Sequence, residues 1–335
     1  MVSAGLVSSS FMKAMVATRW GEPRELEYLD VADPQPGPGQ VLIETRAIGC
    51  NFPDILMVQG KYQVKPPHPF SPGHEIGGVV RAVGSGVTRA RPGQRVLASL
   101  EWGGYAEQAV AAAERVYPIP DAMPFDHAAA FFLVYQTSYA ALVRRAAIQP
   151  GEWLLVHGAA GGVGLSAVQL GKVLGARVIA TAGTPAKLEV ARQSGADVLI
   201  DYREEDWVER VKAVTGGEGA DVIYDPVGGD VFDNSTKCLA FEGRLLTIGF
   251  AGGRIPTVAV NRLLLKNISV VGLHWGYYQR RGSPLVQEWM DTLLELYGHG
   301  RIRPVIYRTY PLRDAAAALA ALSSRESYGK VVLVP

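Results

Sequence analysis

Cysteine is almost absent: Cys50 and Cys238 are the only two among 335 residues. Two thiols cannot build a disulfide framework or a four-cysteine zinc lobe, and a reducing, cytoplasmic setting is the expectation. An excess of charge of one sign is missing too. Lys and Arg number 33 against 32 Asp and Glu, a formal net charge of +1 with no basic block. Nothing there would attract nucleic acid or an acidic membrane surface. No apolar run approaches the roughly 20 residues needed to cross a bilayer. The stretch Met1-Val-Ser-Ala-Gly-Leu-Val-Ser-Ser-Ser10 lacks the positive start and long apolar core of a signal peptide. It reads as a loose extension, with Met12 or Met15 as alternative starts. There is no internal repeat and no low-complexity linker.

What is present is enough for two cores, because 335 residues exceed one ordinary domain. A hydrophobic content of 48% against 19% charged residues fits a globular chain. Up to about residue 130 the sequence alternates short β-like runs with Gly and Pro turns. The runs are Gln40-Val-Leu-Ile-Glu44, Gly77-Gly-Val-Val-Arg81, Gln94-Arg-Val-Leu-Ala98 and Tyr105-Ala-Glu-Gln-Ala-Val110; Pro36-Gly-Pro-Gly39 and Pro92-Gly93 punctuate them. That pattern predicts a small barrel-like β unit. Strands and helices then alternate to about residue 272, which predicts an α/β, doubly wound parallel sheet. The remainder ends in the strand-like Lys330-Val-Val-Leu-Val334 and is expected to return to the first unit. The expected boundaries are therefore 1–134, 135–272 and 273–335.

The stretch richest in chemistry is Val156-His-Gly-Ala-Ala-Gly-Gly-Val-Gly164. It follows the buried-strand pattern Trp153-Leu-Leu-Val156 and precedes apolar residues at helical spacing. A strand, a turn without bulky side chains and a helix N-terminus make an anion site, where free N–H groups and the positive end of the helix dipole converge. Gly161 and Gly162 would let the backbone approach a pyrophosphate, with Ala160 and Val163 beside them. Gly164 would let the helix pack closely on the strand. Ala159 stands where the strict G-x-G-x-x-G pattern has its first glycine.

The next strand, Ala176-Arg-Val-Ile-Ala-Thr-Ala-Gly183, ends without the acid that NAD enzymes aim at the ribose 2′-hydroxyl, and no Asp or Glu follows before Glu189. An acid would repel a 2′-phosphate. Its absence at Gly183, with Lys187, Tyr202 and Arg203 as donors, points to NADPH.

Together these segments resemble the medium-chain dehydrogenase/reductase superfamily from about Met12 to Pro335. The motifs that carry the likeness are Pro36-Gly-Pro-Gly-Gln-Val-Leu42, Pro72-Gly-His-Glu75, Arg91-Pro-Gly-Gln-Arg-Val96, Gly103-Gly-Tyr-Ala-Glu107 and the glycine turn. Within it the chain is most similar to the zinc-independent, zeta-crystallin-like quinone oxidoreductases. Asn51-Phe-Pro-Asp54, Tyr135-Gln-Thr-Ser-Tyr139, Ala159-Ala-Gly-Gly-Val-Gly164 and Gly329-Lys-Val-Val-Leu333 mark that branch. The resemblance implies a GroES-like β-barrel catalytic domain beside a Rossmann domain. It also implies that Asn51, Tyr62 and Thr137 line the nicotinamide end, with Phe250 at a turn after a Rossmann strand. Arg325 and Lys330 would reach back toward the cofactor phosphates. The run Ser269-Val-Val-Gly-Leu-His-Trp275 would be an edge strand, and relatives commonly dimerise through that edge, so a homodimer is expected.

Zinc alcohol dehydrogenases resembling this chain use a cysteine, a histidine and a second cysteine. Asn51 stands where the first cysteine belongs, Phe131-Phe-Leu-Val-Tyr135 offers no second thiol, and His74 alone persists, with Cys50 displaced by one residue. No metal is expected, and His74 is read as a loop histidine with local hydrogen bonds. Without a Lewis acid, a simple aldehyde is a poor acceptor. A quinone or an enone spreads the charge of hydride addition over a conjugated system, which modest donors can hold. NADPH:quinone oxidoreduction is the leading expectation. Reduction of activated alkenes is the alternative, and a non-catalytic NADPH-binding sensor or structural protein is a second.

Overall fold

The structure, a computed structural model, describes residues 10–335. In chain order the first strands are β1 (Phe11–Val16), β2 (Glu27–Ala32) and β3 (Gln40–Cys50), followed by helix α1 (Phe52–Val58). Next come β4 (Glu75–Val83), β5 (Arg95–Ser99), β6 (Gln108–Ala112), β7 (Val116–Pro118), α2 (Phe125–Ala129) and α3 (Phe132–Tyr139). Alternation then sets in: β8 (Trp153–Val156), α4 (Gly162–Val173), β9 (Arg177–Ala182), α5 (Pro185–Gln193), β10 (Val198–Asp201) and α6 (Trp207–Val214). It continues with β11 (Ala220–Asp225), α7 (Gly229–Ser235), β12 (Leu239–Thr247), α8 (Val260–Lys266) and β13 (Ser269–Gly272). Helices α9 (Trp275–Arg280) and α10 (Leu285–Gly298) precede β14 (Ile306–Pro311), α11 (Ala315–Ser323) and β15 (Lys330–Val334).

Two units result: residues up to Leu133 together with Ile306–Pro335, and residues Val134–Val305. The second unit thus runs beyond the expected boundary at 272. The reason is local packing. Gln136 donates its side-chain amide to the Val286 carbonyl at 2.9 Å and accepts from Trp275 Nε1 at 3.3 Å, while Val286, Trp289, Met290 and Leu293 are buried. Residues 273–305 are held there, and the chain returns at Ile306. The expected loose extension lies outside the described residues except for Ser10. Met12 and Met15 sit inside β1, which pairs antiparallel with β2.

The second unit is a six-stranded parallel sheet in the order β10-β9-β8-β11-β12-β13. Numbered within the unit that is 3-2-1-4-5-6, the doubly wound order whose direction reverses between β8 and β11. Strands covered on both faces read as unbroken apolar runs. Leu154, Leu155 and Val156 of β8 and Val222, Ile223 and Tyr224 of β11 are accordingly all fully buried. Strand β13 forms one edge, as the family resemblance implies. Among the described residues no helix is long and apolar enough to cross a membrane.

The first unit is a seven-stranded sheet in the order β14-β15-β3-β4-β5-β7, with β6 also paired to β3. Strand β15 lies antiparallel to β3, matching Val331 to Cys50 and Leu333 to Ile48. Its core gathers Val41, Ile43, Ile48, Ile76, Val96, Leu319, Val331 and Leu333 around Met57 and Tyr105.

Candidate functional site

In the second unit the glycine turn joins β8 to α4, at the point where strand order reverses. Gly158 adopts φ +56°, a conformation glycine takes at little cost. Its carbonyl receives the Gly161 amide at 2.9 Å. Gly161 then caps α4 without offering a side chain to the first-turn amides, which leaves them for an anion. A Cβ on Gly164 would stand 2.3 Å from the Gly158 oxygen and 2.8 Å from Ala159 Cα. Gly164 therefore seats the helix on its own turn rather than on the strand. Close packing on the strands falls to Gly171, whose Cβ would meet Leu154 Cδ2 at 2.6 Å and Val178 Cγ2 at 3.1 Å. The buried His157 braces the turn, with Nδ1 3.0 Å from Thr181 Oγ1 and Nε2 3.0 Å from Ser235 Oγ. Burial pushes this imidazole down to about 3, so it stays neutral.

After β9 no Asp or Glu stands before Glu189. Thr184 caps α5 by accepting the Lys187 amide at 3.3 Å, and Pro185 supplies the preset φ of a first helical residue. Lys187 thus rides on the first turn of α5. A Cβ on Gly183 would lie 2.6 Å from the Tyr202 hydroxyl and 2.9 Å from Arg203 Nε. Two donors of the expected phosphate grip converge over one glycine. Asp201, paired in register with Ala182, turns its carboxylate to the Arg203 amide at 3.0 Å.

Phe250 is 39% exposed in the turn after β12 and packs over Gly228, where a Cβ would meet its ring at 2.9 Å. Thr137 is half-buried on α3 beside Ser138, whose hydroxyl bonds Val163 O at 3.1 Å, Ser166 Oγ at 2.8 Å and Tyr224 Oη at 2.9 Å. Asp225, at the end of β11, accepts the Val227 and Gly228 amides on Oδ1, and burial raises its pKa.

The first unit holds a second polar cluster in which two expectations change. Lys330 is 4% exposed, and its ammonium donates to Cys50 O at 3.0 Å, Asn51 Oδ1 at 2.6 Å and Glu75 Oε1 at 2.6 Å. An ammonium carries three protons, and three acceptors take them. Lys330 is a buried ion-pair partner and not a hand for a cofactor phosphate.

Asn51 Nδ2 donates to Gly49 O at 3.2 Å and Glu75 Oε1 at 2.9 Å. Both its amide protons are committed, so it is a clamp in this cluster rather than a donor to an acceptor oxygen. Its backbone N–H caps α1 by donating to Asp54 Oδ2 at 2.7 Å. Glu75, wholly buried, completes the set by accepting the Leu133 amide on Oε2 at 3.0 Å. Sequence reasoning quoted Glu75 only as part of a motif. The available signal was an acid opening the apolar run Ile76-Gly-Gly-Val-Val80.

His74 lies beside this cluster with local hydrogen bonding, Nδ1 standing 2.5 Å from Asp54 Oδ1, and its ring meets Tyr62 edge-on at 5.5 Å. Tyr62 is half-buried against the core of the unit. Arg325 is exposed, at φ +58°, in the loop before β15. Burial pushes the Cys50 thiol up to about 12, which keeps it protonated and a poor metal ligand. Among the described residues no three His, Cys, Asp or Glu side chains converge as a metal-binding group.

Residues 37–121 match the family described as "Alcohol dehydrogenase GroES-like domain", and residues 162–294 match "Zinc-binding dehydrogenase". The chain is 42% identical over 300 residues to "Quinone oxidoreductase-like protein 2 homolog" of Nematostella vectensis, covering 89% of this chain and 82% of that one. It is 34% identical to the human "Synaptic vesicle membrane protein VAT-1 homolog", covering 97% and 86%. Among solved structures, the Escherichia coli quinone oxidoreductase complexed with NADPH superposes with a TM-score of 0.89 at 36% identity, covering 96% of this chain and all of that one.

Proposed function

The chain belongs to the medium-chain dehydrogenase/reductase superfamily, in its zinc-independent quinone oxidoreductase branch, and from this premise we propose that it transfers hydride from NADPH to a quinone. The observation that carries the cofactor reading is the acid-free end of β9, where Tyr202 and Arg203 close over Gly183 near Lys187 on α5. The uncapped first turn of α4 suits the pyrophosphate. When bound, NADPH supplies the hydride. The protein's share is to hold, orient and dehydrate the reactants.

The donor set favours a conjugated acceptor. Cys50 is protonated and His74 Nδ1 is committed to Asp54, which supports a reaction that does not call on these two side chains as metal ligands. One panel of NADPH oxidation over quinones, enones and simple aldehydes, with and without chelator, tests this. Quinone turnover indifferent to chelator is the expected result. Preference for enones over every quinone replaces the substrate class, chelator-sensitive aldehyde reduction overturns the zinc-free reading, and tight NADPH binding without turnover favours a sensor.

Lys187→Ala is expected to weaken NADPH by about tenfold or more, the loss of one charge-assisted contact to phosphate, and NADH far less. Equal losses in fluorescence titrations with both nucleotides would remove Lys187 from the phosphate site.

We also assign the protein to the cytoplasm, which fractionation checks, and to a homodimer. Strand β13 is a sheet edge, and the preceding α8 exposes Val260, Leu264 and Leu265 at 76%, 74% and 75%. Sedimentation should give a dimer that Leu264→Glu with Leu265→Glu splits; a monomeric wild type refutes it.

A further inference from the structure

A cavity of about 510 Å³ opens in the second unit between α7, α8 and the segment that leads into α8, a size that holds small molecules. None of the residues lining it belongs to the glycine turn or to the end of β9. Helical spacing explains how it is built. Phe232 in α7 and Thr236 just after it stand four apart and share a face, as Arg262 and Lys266 do on α8. The two faces meet at Thr236, which is 1% exposed. Arg262 Nη1 donates to Thr236 Oγ1 at 2.9 Å, and Lys266 Nζ donates to the Thr236 carbonyl at 3.1 Å. The Thr236 hydroxyl gives its own proton to the Asp233 carbonyl at 2.7 Å, which leaves its lone pairs for Arg262.

Two cations are thus anchored side by side on uncharged oxygens, and neither forms an ion pair among the described residues. Most of their hydrogen-bonding capacity is unspent. A guanidinium has five protons and an ammonium three, and each group commits one here. Like charges four apart on a helix destabilise it, and an anion bound between them reverses that effect. The carboxylate of Asp233, which also lines the cavity, is not that anion. Arg254 Nη2 holds it at 2.5 Å and holds Asp230 at 2.8 Å. Phe232 and Val258 add apolar wall to the same cavity.

We propose that this cavity binds a small phosphate monoester, with the phosphate on Arg262 and Lys266 and the organic part on Phe232 and Val258. Two positive charges match a head group that carries close to two negative charges above its second pKa of about 6. The planar guanidinium takes phosphate oxygens in pairs, and the ammonium adds a point charge. The apolar wall distinguishes an ester from the bare ion, because only the ester has surface to bury there. The site stands apart from hydride transfer and does not depend on it.

Phenyl phosphate is the probe, titrated by 31P NMR into protein saturated with NADPH, so that the glycine turn and Lys187 are already occupied. Saturable binding at one site per chain is expected. Arg262→Gln with Lys266→Gln should weaken it about tenfold or more, the loss of charge-assisted bonds, while NADPH affinity holds. Thr257→Trp, which places an indole in the cavity and keeps both cations, should abolish it. Inorganic phosphate lacks the apolar part and benzoate lacks a charge, so each should bind more weakly than phenyl phosphate. A wild type that does not saturate by about 10 mM overturns the proposal. Binding that survives Thr257→Trp is attraction to the helix surface and overturns the cavity. Inorganic phosphate or benzoate held as tightly as phenyl phosphate overturns the monoester. If the double variant does not fold, Thr257→Trp and the comparison of the three probes decide.

Discussion

Lys330→Met is expected to destabilise the first unit by about 3–5 kcal/mol, the cost of stranding one member of a buried ion pair. The residue strands Glu75, which is wholly buried and bonded to Lys330 Nζ at 2.6 Å. The pair need not be a large net source of stability, because taking two charges out of water offsets most of their attraction. Breaking it is what costs. Asn51 loses a donor at the same time, since its Oδ1 accepts from the same ammonium. Urea unfolding should show the loss, and Glu75→Gln in the Lys330→Met background should restore part of it by removing the orphaned charge. A single variant within about 1 kcal/mol of wild type would mean that Glu75 tolerates isolation, and the ion-pair account would fail.

The second large effect concerns the cofactor. Gly164→Ala places a methyl 2.3 Å from the Gly158 carbonyl oxygen, a contact with backbone that no rotamer can relieve. Overpacking of this kind costs about 1–3 kcal/mol. Here the strain is released by lifting α4 from the turn that aims its amides. At about 1.4 kcal/mol per factor of ten, NADPH affinity should fall about 10–100-fold. Gly171→Ala is the control. Its methyl meets the ends of Leu154 and Val178 side chains, so stability should drop while NADPH affinity holds. Fluorescence titration separates the two, and equal NADPH losses in both variants would deny Gly164 its special place.

What could be read in the sequence was local. The glycine turn and the acid-free end of β9 each sit within a few residues of the features that define them, whereas the edge position of β13 came from the family resemblance. Lys330 could not be read that way, because its acceptors Glu75, Asn51 and Cys50 lie 255, 279 and 280 residues away. A lysine before an apolar strand carries no local sign that an acid will meet it in the core. Asn51 misled for the same reason: an amide in a turn looks available until Glu75 and Lys330 close on it. The boundary at Ile306 was hidden because α9 and α10 bear no compositional mark of the unit they join, and long-range contacts such as those of Gln136 and Gln169 decide it. Asp54 was quoted as part of a motif, yet its partners His74 and Tyr105 come from separate loops, and no spacing rule links them.

Strand β15 also sets the order in which this protein can be made. Residues 134–305 are contiguous, and their sheet is complete once β13 has been synthesised. The first unit is not so placed. The end of its central strand β3, Ile48 to Cys50, has no partner on one side until β15 arrives, although β6 already pairs residues 40–44 there. Until then the apolar flank of β3, Ile48 and Cys50 included, and the carboxylate of Glu75 wait without the residues that cover them. A nascent chain paused between residues 305 and 330 therefore carries a finished nucleotide-binding unit and an unfinished sheet with an open edge, the form most exposed to misassembly.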